Sequence, residues 1–194
     1  MKLLIVGDSF AADWTKKYPT ANGWPNMLAN IYQVTNIAQA GCGEYKILKQ
    51  LQSQPLDKFN AIIVCHTSPY RIYTKEHPVH TGDALHNGSD LIYTDIKEHS
   101  LTNPTLLPLV DYFENYFDLD YAKDVHNMIC CSIDKEVTNF RGTVIHVTNF
   151  EWVGLYKFKD MLDFTYLLKK HRGDINHYDI HGNEVIYDKL LEKL

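Results

Sequence analysis

Ala61-Ile62-Ile63-Val64-Cys65 is an apolar run with no polar residue to alternate against, and Leu3-Leu4-Ile5-Val6 is another. A strand with one wet face alternates, whereas a strand without alternation is covered on both faces, as in a parallel sheet flanked by helices. The intervening chain supplies the helices. Gly23-Trp24-Pro25-Asn26 opens one, with proline early, where its missing N–H costs nothing, and Met27, Leu28 and Ile31 follow on one face. Residues 33–37 form the second strand. Ile47, Leu48 and Leu51 keep helical spacing after the glycines at 41 and 43, Thr143 to Val147 makes a fourth strand, and a last helix runs from Asn183 to Leu194. The order is that of βαβ units building an α/β fold on a parallel sheet of four or five strands. No fifth strand stands out.

Residues 66–142 separate the third and fourth strands, far more chain than a crossover helix requires. The part from Tyr73 to Asn103 is polar and rich in His, Tyr, Asn and Gly, which predicts an inserted loop or lid. Leu106 to Val137 has the spacing of one broken helix or two consecutive helices. A chain of 194 residues, 45% apolar and with a net charge of −5, suits a single domain over 1–194. The 19 Lys and Arg are scattered among 24 Asp and Glu, which argues against a nucleic-acid partner and, by elimination, favours a small molecule or glycan. The N-terminal apolar run is too short for a signal peptide or a membrane span, so the expectation is a cytoplasmic protein with no membrane partner. Cys42, Cys65, Cys130 and Cys131 lack CxxC spacing and read as free thiols.

Three segments carry chemistry. Gly7-Asp8-Ser9-Phe10 follows the first strand, at the sheet edge where ligands of open α/β folds sit; a helix cap by Asp8 or Ser9 is the plain alternative. Asn36 to Gly41 follows the second strand. A glycine there leaves its N–H free to face a developing oxyanion, or merely permits a positive φ. Near the C-terminus, Asp174-Ile175-Asn176-His177 places a carboxylate and an imidazole three apart, an orienter and base pair or an Asx turn; His181 competes less well.

Together these segments resemble the SGNH hydrolase superfamily, the GDSL esterases and lipases. The resemblance rests on GDS after the first strand, Asn and Gly five apart after the second, and Asp-x-x-His-x4-Gly before the last helix, with Gly23-Trp24-Pro25 as a further likeness. It implies a three-layer α/β/α sandwich of SGNH, flavodoxin-like type. It also implies Ser9 as nucleophile, His177 as base, Asp174 as orienter, and the Ser9 and Gly41 N–H groups in an oxyanion hole. The family's third strand ends in Gly-x-Asn-Asp, whose Asn adds an oxyanion donor, whereas here Cys65 precedes His66-Thr67-Ser68-Pro69-Tyr70-Arg71. Ser68 falls at the Asn position, and His66 is a second candidate donor.

His66, Tyr70 and Arg71 follow the strand directly and are candidates for substrate binding, as is Tyr73; packing under the lid is the plainer role. His77, His80 and His86 match no common metal spacing, so no metal is expected, and no cofactor. The expected activity is hydrolysis of a short-chain acyl ester, such as an acetyl ester on a carbohydrate. An O-acyltransferase using the same triad and a non-catalytic ligand-binding module are the rivals. Oligomeric state is left open by the sequence.

Overall fold

A computed structural model describes residues 1–194. The main sheet has five strands in the order β2-β1-β3-β6-β7, all parallel: β1 Lys2–Gly7, β2 Gln33–Asn36, β3 Ala61–His66, β6 Thr143–Thr148 and β7 Leu162–Asp163. β3 is buried along its whole length, as its unbroken apolar run requires.

The pleat sorts the core into two halves. Leu3 and Ile5 of β1 with Ala61, Ile63 and Cys65 of β3 face Trp24 and Leu28 of α1 (Trp24–Ala29) and Ile186 and Leu190 of α6 (Ile180–Leu191). Leu4, Val6, Ile62 and Val64 point the other way. They meet Ile47, Leu48 and Leu51 of α2 (Glu44–Gln52) and Cys130, Ile133 and Val137 of α5 (Leu119–Val137). All four cysteines are free thiols, three of them buried. No helix is long and apolar enough to cross a membrane.

The long insertion is more ordered than its composition suggests. β4 (Arg71–Ile72) pairs antiparallel with β5 (Leu91–Ile92), pinching residues 73–90 into a loop. α3 (Tyr93–Ser100) follows inside the segment expected to be a loop or lid; its only buried side chains are Ile96 and Ser100, too narrow a stripe to register as helical periodicity. α4 (Leu107–Asn115) and α5 are two separate helices. The last helix begins three residues before the expected Asn183, because the Asp179 side chain caps it by accepting from Gly182 N at 2.8 Å. β8 (Arg172–Ile175) stays outside the main sheet and bridges to Tyr178.

β2 lies on one side of β1 and β3 on the other, so the strand order reverses at β1. In open parallel sheets a ligand crevice forms outside the carboxyl ends at such a switch point. Ser9 lies there.

Candidate active site

The turn after β1 is held by bonds to its carbonyls. The Trp14 indole donates to Ser9 O (2.9 Å) and that of Trp24 to Phe10 O (2.8 Å). Asn36 Nδ2 donates to Ala11 O (2.8 Å). Asn176 Nδ2 reaches Ser9 O, Phe10 O and Ala12 O at 3.3, 3.0 and 3.0 Å. With its carbonyls engaged, the turn presents the Ser9 hydroxyl at a fixed place.

Asn176 and His177 have φ of 51° and 65°, consecutive left-handed residues in the turn between β8 and Tyr178. Non-glycine residues seldom occupy that region, asparagine being among the more tolerant. The turn closes through Gly173 N donating to His177 O at 3.1 Å and sets His177 Nε2 2.7 Å from Ser9 Oγ. Phe10 packs against the imidazole with ring centroids 4.3 Å apart, and Trp14 meets it edge-on at 6.0 Å. Burial lowers the His177 pKa, with Arg71 adding to the shift and the Asp8 carboxylate opposing it.

Asp174 is exposed on β8 and shares a shallow depression with His177, but no hydrogen bond or ion pair joins the two. The carboxylate that acts on the imidazole electrostatically is Asp8, which is fully buried. Asp8 accepts from Phe10 N (3.0 Å), Thr67 Oγ1 (2.7 Å) and Arg71 Nη2 (3.0 Å). Burial raises its pKa, and these donors work against the rise.

Gly41 has φ of 77°, and a Cβ there would lie 2.4 Å from Ser89 Oγ, so no other residue fits without displacing the loop. Its carbonyl accepts from Asp90 N at 3.0 Å, while its N–H and that of Ser9 make no hydrogen bond within the protein. Ser9, Gly41, Arg71 and His177 line one cavity of about 500 Å³, whose far wall carries His80, His86, Asp95 and Glu98.

The other sequence candidates lie elsewhere. Ser68 Oγ accepts from Tyr70 N at 3.3 Å, and Ser68 lines a neighbouring tyrosine-rich pocket instead of the Ser9 cavity. Counting along the family pattern selects a residue that lines this neighbouring pocket. Tyr70 is exposed and Tyr73 rims that second pocket. His66 is fully buried, its Nδ1 2.6 Å from Glu44 Oε1 and its Nε2 2.9 Å from His146 Nδ1. Although burial opposes it, His66 and His126 hold Glu44 well below the usual carboxylate range; burial and His66 bring His146 down to about 3. This network is interior support for Thr67, whose N–H donates to Glu44 at 3.0 Å. Sequence reasoning missed Asn176 and Trp14 as supports of the turn; Asn in a turn directly before the histidine was the available signal.

In the insertion, Asp95 Oδ2 lies 3.1 Å from His80 Nε2 and 3.5 Å from His77 Nε2, and the three could surround a cation. His77 Nδ1, however, accepts from the N–H groups of Val79 and His80, both at 3.2 Å, which leaves the proton of the neutral ring on Nε2. Ligation through Nε2 would cost that proton, so the arrangement reads as His80 paired with Asp95 beside a buried His77 Nε2 that has no hydrogen-bond partner. Burial and His80 lower the His77 pKa to about 4.

A structure from Desulfitobacterium hafniense DCB-2, described as that of a "putative lipolytic protein of G-D-S-L family", superposes with a TM-score of 0.54. The match covers 100% of this chain and 99% of that one, at 13% identity. The chain has the SGNH fold. No family model matches the sequence, and no curated protein does. The SGNH fold fixes where the strand ends converge; the chemistry there has to be argued from the side chains.

Proposed function

We propose that this SGNH-fold protein is a serine esterase acting on short-chain acyl esters, and the observation that carries the reading is the 2.7 Å contact between Ser9 Oγ and His177 Nε2. A neutral imidazole is a base, and burial keeps this one neutral further into the acidic range than an exposed histidine. Ser9 Oγ attacks the ester carbonyl as His177 takes its proton, and the carbonyl electron pair moves onto oxygen. The unbonded N–H groups of Ser9 and Gly41 stabilise that oxyanion. Collapse expels the alcohol, which leaves with the proton from His177; water, deprotonated by His177, then releases the acid and restores Ser9.

Phe10 and Trp14 orient the imidazole by packing, in place of the carboxylate expected at Asp174. The cavity wall mixes Phe10, Trp14, Ile92 and Phe150 with the charged or polar side chains of Arg71, His80, Asp90, Asp95 and Glu98. Such a wall suits a short acyl group on a polar carrier, such as an acetylated sugar, better than a long lipid chain.

Reaction with a fluorophosphonate probe followed by peptide mapping tests the reading. Labelling confined to Ser9, and lost in Ser9→Ala and His177→Ala, is expected. A wild-type protein that does not label, or that labels equally without His177, would overturn it.

A further inference from the structure

We propose that the Arg71 guanidinium is a third oxyanion donor, a catalytic role for a residue in β4 that extends the esterase reading and rests on it. Arg71 lines the cavity with Ser9, Gly41 and His177. Its guanidinium is held on two sides, Nη2 donating to Asp8 Oδ2 at 3.0 Å and Nη1 to Cys42 O at 2.8 Å. Phe150 lies against the group, 5.8 Å from Cζ to ring centroid. The side chain is only 8% exposed, so it is fixed before substrate arrives.

A guanidinium has five N–H bonds in one plane. Two are committed here, and the rest remain for a ligand in the cavity.

Charge is the second argument. Asp8 meets Arg71 from the fully buried side of the site, where the Thr67 hydroxyl and the Phe10 N–H also donate to it. The ion pair therefore anchors the guanidinium at the rim of the cavity without spending its remaining donors. When the Ser9 Oγ–carbon bond forms and the carbonyl pair moves onto oxygen, a full negative charge appears beside two neutral backbone donors. A charged donor is roughly twice as strong as a neutral one, and it acts most where water is excluded. Arg71 transfers no proton in this step; it donates hydrogen bonds whose strength rises as the ester becomes an oxyanion. Ser68, expected in this role from its place after β3, already accepts from Tyr70 N and faces the neighbouring pocket.

The competing uses of such a residue are anchoring an anionic part of the substrate and simply bracing Asp8. Kinetics on p-nitrophenyl acetate, a neutral ester with nothing to anchor, separate the first; a brace alone would lower thermal stability and leave kcat per folded molecule within about threefold. Fluorophosphonate labelling of wild-type Ser9 is measured first, since its absence refutes the esterase reading itself whatever Arg71 does. With labelling established, Arg71→Ala is expected to lower kcat by ~10²–10³-fold with KM changed less than about threefold. Guanidinium ion at low millimolar concentration is expected to restore at least tenfold of that loss, because it can refill the vacated position. Arg71→Lys is expected to retain part of the activity, since an ammonium keeps the charge but cannot fork between Asp8, Cys42 O and the oxyanion. If Arg71→Ala proves unfolded by circular dichroism, Arg71→Gln, which can still donate to Cys42 O, is read by the same split. A kcat within threefold of wild type, a rise confined to KM, or a loss that guanidinium does not restore in a folded variant would overturn the assignment.

Discussion

Asp174→Asn separates a triad from a dyad. Where a carboxylate holds the histidine through a short hydrogen bond, the same change lowers kcat by ~10⁴, about 5.4 kcal/mol at ~1.36 kcal/mol per tenfold. Here Asp174 is exposed, and no hydrogen bond or ion pair links it to His177. What remains is Coulomb attraction through solvent, ~1 kcal/mol for unit charges 4 Å apart in water and less at greater distance or with salt. That ceiling corresponds to about fivefold. Steady-state kcat/KM on p-nitrophenyl acetate at pH 8, measured at low and high ionic strength, is therefore expected to fall less than about fivefold, and the fall should shrink with salt. A loss of a hundredfold or more, insensitive to salt, would mean that the carboxylate reaches the imidazole in the reacting enzyme, refuting packing by Phe10 and Trp14 as the orienting device.

Because burial lowers the His177 pKa, the acid limb of kcat/KM should have its midpoint below the ordinary histidine value, read from a pH–rate profile. Ser9→Ala and His177→Ala should each remove ~10³–10⁶ of kcat, and the double variant should be little worse; multiplicative losses would argue against a shared step. Glu44→Gln removes the carboxylate that holds His66 Nδ1, His126 Nε2 and Thr67 N and should destabilise the fold by about 1–3 kcal/mol in urea denaturation. The Glu44 pKa is depressed in the fold, so its contribution is present above the ordinary carboxylate range and fades as pH falls towards the folded value; the wild type should lose stability in acid faster than the variant.

Much of the fold was legible because β1 and β3 are buried on both faces and need unbroken apolar runs, as Leu3–Val6 and Ala61–Cys65 provide. β7 was not, since a two-residue strand has no period to detect. In α3, Ile96 as the only buried apolar residue gave no stripe. Ser9 and His177 could be paired because the GDS motif and the Asp-x-x-His motif occur together in one chain, although β8, which precedes His177, lies outside the main sheet. Spacing alone does not say where Asp174 points: the left-handed Asn176–His177 pair turns the imidazole to Ser9 while Asp174 is exposed on β8. Distance along the chain likewise says nothing of the direction taken after β3, where Ser68 lines the neighbouring pocket and Arg71, in β4, lines the Ser9 cavity.

Asn176 grips the carbonyls of the Ser9 turn, and the next residue supplies the imidazole, across a sequence separation of 168. Such a junction closes one of the largest loops the chain can make, and contacts of that span are entropically the most expensive to form early. The Ser9–His177 contact therefore forms only when the C-terminal hairpin docks. A nascent chain still lacking that hairpin would carry an inert serine, and regain of esterase turnover during refolding would time the docking of the chain's two ends, separately from formation of the helices.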